Sequence, residues 1–156
     1  MPADIVVPAD ARPPAAEEQA ANERSLSGIR VMLVDDEQDA REVLGAALEQ
    51  SGAEVGKVSS ADAALELLST LRPHVLLADI EMPSKDGYAL MEAVRALPAD
   101  DGGLTPAIAI TAYARVEDRV RALAAGFDLH IAKPVQLDEL RLAVARLAGS
   151  RRQPTE

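Results

Sequence analysis

Apolar positions along this chain fall into short continuous runs, each followed by a stretch with helical spacing. The run "IRVMLV" at 29–34 has almost no polar interruption, as expected of a strand buried on both faces. After it Ala40, Val43, Leu44, Ala47 and Leu48 recur at i, i+3, i+4, i+7 and i+8, one stripe of a helix, and Gly52 punctuates its end. The alternation returns four times. "AEVGKV" precedes Ala61, Ala64, Leu65 and Leu68; "HVLLAD" precedes Leu90, Val94 and Leu97; "PAIAIT" precedes Val116, Val120, Leu123 and Phe127; "LHIA" precedes Leu140, Val144 and Leu147. The pattern predicts five strands alternating with five helices. Short loops between such units force parallel pairing and right-handed crossovers, so the fold class is α/β, an open doubly wound parallel sheet with helices on both faces. In such sheets ligands gather beyond the C-terminal ends of the strands, where the strand order reverses.

The flanks differ in composition. Residues 1–28 are rich in Ala, Pro and Glu without a sustained apolar period and read as a flexible leader or linker; 29–149 form the folded domain, and 150–156 a disordered tail. No apolar run approaches the ~20 residues needed to cross a bilayer, and the N-terminus lacks a signal-peptide layout, which points to a cytoplasmic address. The chain has no cysteine, which excludes disulfides, thiolate metal sites and cysteine nucleophiles. Of the formal charge of −10, −8 lies on residues 29–149. An acidic surface repels phosphate backbones, and two Tyr, one Phe and no Trp offer no platform for stacking bases, so direct nucleic-acid and membrane binding are not expected.

The predicted strand ends carry the candidate chemistry: Asp35 and Asp36 after strand one, Asp79 on strand three, Thr111 on strand four and Lys133 after strand five. Each has a plain structural explanation. Asp35 and Asp36 can cap a helix, Asp79 a turn; Thr111 can be an ordinary β-branched strand residue, and Lys133 a solvated lysine. Together, on one rim above apolar strands, they read as a site. Three converging carboxylates repel one another unless a cation intervenes, and a set of hard oxygens without His or Cys suits Mg2+. A lysine and a hydroxyl beside the metal can neutralise and hydrogen-bond phosphate oxygens, which fits phosphoryl transfer.

Four motifs in order, "VDDE", "DIEMPSKDG", "TA" and "AKP", make the chain similar to the CheY-like receiver domains of two-component response regulators; the Pro/Ala-rich leader and the stretch 107–140 look most like receivers attached to hybrid sensor histidine kinases, with a stand-alone regulator or phosphorelay intermediate equally open. The resemblance spans about 29–147 and implies the strand order 2-1-3-4-5. It implies Asp79 as phosphoacceptor for a phosphoryl group from a sensor histidine kinase or phosphotransfer protein. Asp35, Asp36, Asp79 and the backbone carbonyl of Glu81 become Mg2+ ligands. Thr111 becomes the switch hydroxyl, Lys133 its partner at the acyl phosphate, and the Lys133–Pro134 peptide is expected to be cis. His130 falls where the family usually has Tyr or Phe, a departure at the aromatic switch. Tyr113 and the Glu81 side chain fall where the family governs access of hydrolytic water, and His74 reads as plain surface.

By the same resemblance the domain is no enzyme beyond its own phosphorylation and dephosphorylation. Its output is altered binding of a downstream protein target, with a phosphorylation-dependent dimer also open. The alternative is a degenerate receiver used only for docking. A haloacid-dehalogenase-like phosphatase would need a DxDx(T/V) motif after strand one, which "VDDEQ" lacks; a flavodoxin-like carrier and a nucleotide hydrolase lack their phosphate loops.

Overall fold

The computed structural model describes residues 25–113 and 115–149; the predicted leader up to residue 24 and the tail 150–156 lie outside them. The chain runs β1 (Arg30–Val34), α1 (Gln38–Gln50), β2 (Glu54–Val58), α2 (Ala61–Leu71), β3 (Val75–Asp79), α3 (Gly87–Arg95), a 3-10 turn (Ala99–Asp101), β4 (Ala107–Thr111), α4 (Val116–Ala125), β5 (Leu129–Ala132) and α5 (Leu137–Gly149). All five strands are parallel, in the order β2-β1-β3-β4-β5. The reversal falls between β1 and β3, so the ends of these two strands open the crevice where such sheets take ligands.

Each sheet face is covered by its own helices. Met32, Val34, Leu76, Ala78, Ala107 and Ala109 meet buried residues of α2, α3 and α4 on one side. Val31, Leu33, Val75, Leu77, Ile108 and Ile110 meet Leu44 and Leu48 of α1 and Leu140 and Val144 of α5 on the other. β3 and β4 are buried along their whole length, as continuous apolar runs require, while the edge strand β2 is only half-covered. Every fully buried Leu or Ile here stabilises the fold by roughly 1.5–3 kcal/mol relative to an exposed one.

Two readings of the sequence need correction. Leu26, assigned to the leader by composition, is fully buried in the α1/α5 layer, and its N–H donates to the Ser51 carbonyl at 2.9 Å. The folded unit therefore reaches back past residue 29. On α4 the predicted apolar stripe faces outward: Val116, Val120 and Leu123 are 76%, 58% and 50% exposed, while Ala122 and Ala125 are buried. Periodicity identifies residues that share a face but not which face is covered, and the alanines let α4 approach its neighbours closely. Phe127 is buried beyond the helix end, where Gly126 takes φ +118° and turns the chain into β5.

Candidate functional site

Parallel pairing brings the strand ends to one rim. Asp35 and Asp36 follow β1, Asp79 ends β3, Thr111 ends β4 and Lys133 follows β5. Asp35, Asp79 and Thr111 are almost completely buried, at 1%, 3% and 1% exposure, whereas Asp36 is exposed. One carboxylate oxygen from each of Asp35, Asp36 and Asp79 lies within 4.8 Å of the others, a spacing that brings all three within reach of a single ion.

Local sequence explains how these groups are held. Asp35 does not cap α1: the N-cap is Glu37, without a side-chain cap bond, and Asp35 Oδ1 instead accepts from the Glu37 N–H at 2.9 Å. Arg41 grips the same turn by donating to the Asp35 carbonyl at 2.7 Å. Beyond Asp79 the chain leaves the sheet, passes through Ser84 at φ +67°, and enters α3 with Asp86 as a true N-cap accepting from the Ala89 N–H. Gly87 follows because nothing larger fits: an added Cβ would lie 2.7 Å from the Asp79 carbonyl and 2.8 Å from Ile80 Cα. The start of α3 thus seats directly on the backbone that carries Asp79. The Lys133–Pro134 peptide is cis.

The electrostatics are those of an acidic cluster short of positive charge. Burial is the largest influence on Asp79; with the nearby charges of Asp35 and Glu81 it outweighs Lys133 and pushes the carboxyl up to about 6. Burial likewise raises Asp35 despite the Glu37 hydrogen bond. Lys133 Nζ stands 3.1 Å from Asp79 Oδ1. The contact is a charge-assisted one, and among the described residues Lys133 is the one cation that faces Asp79 Oδ1. Burial pulls the Lys133 ammonium down, but the contact with Asp79 and the charges of Asp35 and Glu81 hold it above its ordinary value.

Thr111 is engaged by a residue whose side chain the sequence did not connect to it. Its hydroxyl donates to Glu81 Oε2 at 2.5 Å, and the next N–H, of Ala112, donates to Glu81 Oε1 at 3.0 Å. The Thr111 oxygen accepts in turn from the N–H of Tyr113, whose side chain is 55% exposed. His130 pairs in register with Ala109 and so faces the α2/α3/α4 layer, opposite to Leu129 and Ile131. It is half-buried, and its Nε2 has no hydrogen-bond partner among the described residues. His74 is not plain surface: it is half-buried, and its Nδ1 accepts from the Arg30 N–H at 2.9 Å while its own N–H donates to the Arg30 carbonyl, tying β3 to β1 at the opposite rim.

Two further contacts were invisible in the sequence. Arg121 of α4 lies over the ring of Tyr88 of α3, 4.0 Å from its centre. Arg95 donates to the carbonyls of Gly103, Thr105 and Gly126, joining the loop before β4 to the loop before β5. No local signal announces either one, because the partners are separated by 8 to 33 residues and meet only when the helices dock.

Comparison with known proteins agrees with this geometry. The family description "Response regulator receiver domain" matches residues 31–145. An uncharacterized 14.6 kDa protein in the sodA1 3′ region of Leptolyngbya boryana is 44% identical over 117 residues, covering 75% of this chain and 88% of that protein. The virulence sensor protein BvgS of Bordetella bronchiseptica is 35% identical over 150 residues, 94% of this chain but 12% of the sensor. The receiver domain of the sensor histidine kinase PA1611 from Pseudomonas aeruginosa PAO1, solved with a magnesium ion in its active-site cleft, superposes with a TM-score of 0.71 at 32% identity, over 79% of this chain and 99% of that one.

Proposed function

Because the chain belongs to the response regulator receiver family, we propose that it takes a phosphoryl group from a phosphohistidine of a sensor kinase or phosphotransfer protein onto Asp79, and that this charge changes which protein it binds. The observation that carries the reading is the buried Asp79 carboxylate at the strand end, crowded by two more acids and faced by one lysine. An oxygen of Asp79 attacks the phosphorus; the P–O bond forms as the P–N bond to the donor imidazole breaks, and the imidazole leaves as the free base. β3 and the seat of α3 on Gly87 hold the nucleophile still, and the loop beyond turns aside to leave the line of attack open. Lys133 neutralises charge on the arriving group.

The donor set fits Mg2+. Asp35, Asp36 and Asp79 are hard oxygens close enough to share one ion, and a cation there would offset the burial and mutual repulsion that raise Asp35 and Asp79. These three, with the Glu81 backbone carbonyl, would hold it. When bound, the ion spreads the charge of the transferring phosphoryl oxygens. A groove of about 420 Å3 beside the rim, lined by Val43, Leu44, Pro134, Val135 and Leu137, offers apolar surface on which a donor protein could lean while reaching Asp79.

Partner choice follows from the new charge. A phosphoryl group on Asp79 attracts Thr111 and Lys133, and movement at the ends of β4 and β5 is felt by His130 and by α4, which packs through small alanines. The test is incubation with acetyl phosphate, with and without Mg2+, read by intact-protein mass spectrometry. The parent gains one phosphoryl mass only with the metal, and Asp79→Ala gains none. Labelling retained in Asp79→Ala rejects Asp79 as acceptor, and no labelling of a metal-loaded parent by any donor favours a docking module.

A further inference from the structure

We infer that Arg41 is a positioning residue for the metal site: by holding the Asp35 carbonyl it aims the Asp36 carboxylate at the ion, and its loss weakens Mg2+ binding without removing a ligand. This rests on Asp35, Asp36 and Asp79 holding Mg2+, as proposed above.

Asp36 is the ligand that no side-chain contact steers. It is exposed, and among the described residues its carboxylate has neither a hydrogen bond nor an ion pair, whereas Asp35 and Asp79 are buried in the rim. Its aim is therefore set by the backbone on either side. A peptide group is planar, so fixing a carbonyl oxygen also fixes the next residue's nitrogen and the direction in which that residue departs. Three consecutive peptide groups of this turn are each pinned by a different partner. The Asp35 N–H donates to the Val58 carbonyl at 3.1 Å, the Asp35 carbonyl accepts from Arg41 Nη1 at 2.7 Å, and the Glu37 N–H donates to Asp35 Oδ1 at 2.9 Å. The middle group is the one that leads into Asp36, and Arg41 holds it.

Arg41 is itself anchored. Its own N–H donates to the Glu37 carbonyl at 3.0 Å, so the guanidinium reaches back over the turn from a formed stretch of α1. The side chain is half-buried, and a charged donor binds a carbonyl more strongly than a neutral one, so the grip competes well with water. Groups that orient a metal ligand from behind typically govern affinity by tenfold or more.

Two other accounts predict different outcomes. If Arg41 acted only as a cation near the acids it would repel Mg2+, and its removal would tighten binding. If it only stabilised the start of α1, its removal would lower stability and leave Mg2+ affinity unchanged.

The experiment titrates the metal-free full chain with MgCl2 at neutral pH and physiological ionic strength, where long-range repulsion is screened. The Asp36, Glu37 and Asp79 amides are followed by 1H–15N correlation, and urea titrations of the same metal-free proteins give stability separately. Arg41→Met keeps the apolar stem but has neither donor nor charge, and its Mg2+ Kd is expected to rise roughly tenfold. Arg41→Lys keeps the charge and a single ammonium donor and is expected to fall between parent and Arg41→Met. Arg41→Gln serves if Arg41→Met does not fold. A Kd that is unchanged or tighter in the neutral variant overturns the inference about Arg41 and leaves the metal site standing. Absence of Mg2+-dependent shifts in the folded parent overturns both this inference and the Mg2+ reading.

Discussion

The ammonium of Lys133 lies 3.1 Å from Asp79 Oδ1, and the carboxyl it faces is nonetheless pushed up to about 6. An isolated pair of this kind would hold the carboxyl down. Here burial and the neighbouring Asp35 and Glu81 cost more than Lys133 returns, so the carboxyl stays raised in the metal-free protein. This imbalance has a measurable signature in stability.

Between about pH 4 and pH 6 the folded protein binds more protons at Asp79 than the unfolded chain does, so the free energy of unfolding falls as pH rises through that window and levels off above it. Asp35, raised in the same direction, adds to the effect. Asp79→Asn removes the Asp79 share. Urea titrations of metal-free protein at pH 7.5 should find the variant more stable than the parent by about 1–3 kcal/mol, with the difference closing near pH 4. A variant less stable than the parent at both pH values would contradict the sign.

A divalent cation should supply what Lys133 lacks. Adding Mg2+ to metal-free parent at neutral pH should raise the melting temperature, by the equivalent of about 2.7 kcal/mol at a hundred times the Kd, and equal ionic strength of Na+ should not. Asp36 is the exposed member of the cluster. Asp36→Asn should therefore leave metal-free stability nearly unchanged yet lose most of the Mg2+ increment in differential scanning calorimetry.

Arg95 predicts a loss far from the rim. Its guanidinium satisfies the carbonyls of Gly103, Thr105 and Gly126. Arg95→Ala should cost about 2–4 kcal/mol, and Arg95→Lys should recover little, because an ammonium cannot span three carbonyls in the guanidinium's fork. Denaturant midpoints decide it, and full rescue by lysine would show that charge alone was needed.

The orientation of α4 gives a contrast between neighbouring positions. Val120→Lys should change stability by less than about 0.5 kcal/mol, since the residue is 58% exposed. Ala122→Lys, two residues on and fully buried, should cost about 3 kcal/mol or more, by placing a charge inside the α4 interface. A larger loss from Val120→Lys than from Ala122→Lys would put the helix the other way round.

Much of this molecule was legible one residue at a time. Strands such as 75–79 and 107–111 are buried on both faces, so their burial is written as an unbroken apolar run, and any polar residue at the end of such a run stands out. That is why Asp79 and Thr111 could be picked from the sequence and why strict alternation with helices sufficed for a parallel sheet. The rim then followed, because parallel strands all end on the same side.

Other features depended on which surfaces met. Val116, Val120 and Leu123 share a stripe as their spacing says, but the sheet and α3 are met by Ala122 and Ala125; Leu26, beside polar neighbours, is buried in the core while its backbone N–H bonds the Ser51 carbonyl. The embrace of Thr111 by Glu81, thirty residues away, and of three loop carbonyls by Arg95 are likewise choices among many possible partners. Apolar periodicity is a local property of the chain and survives in the sequence. The covering of a face and the pairing of a polar side chain are non-local, decided by distance and loop path once the helices have docked, and only the tertiary structure contains them.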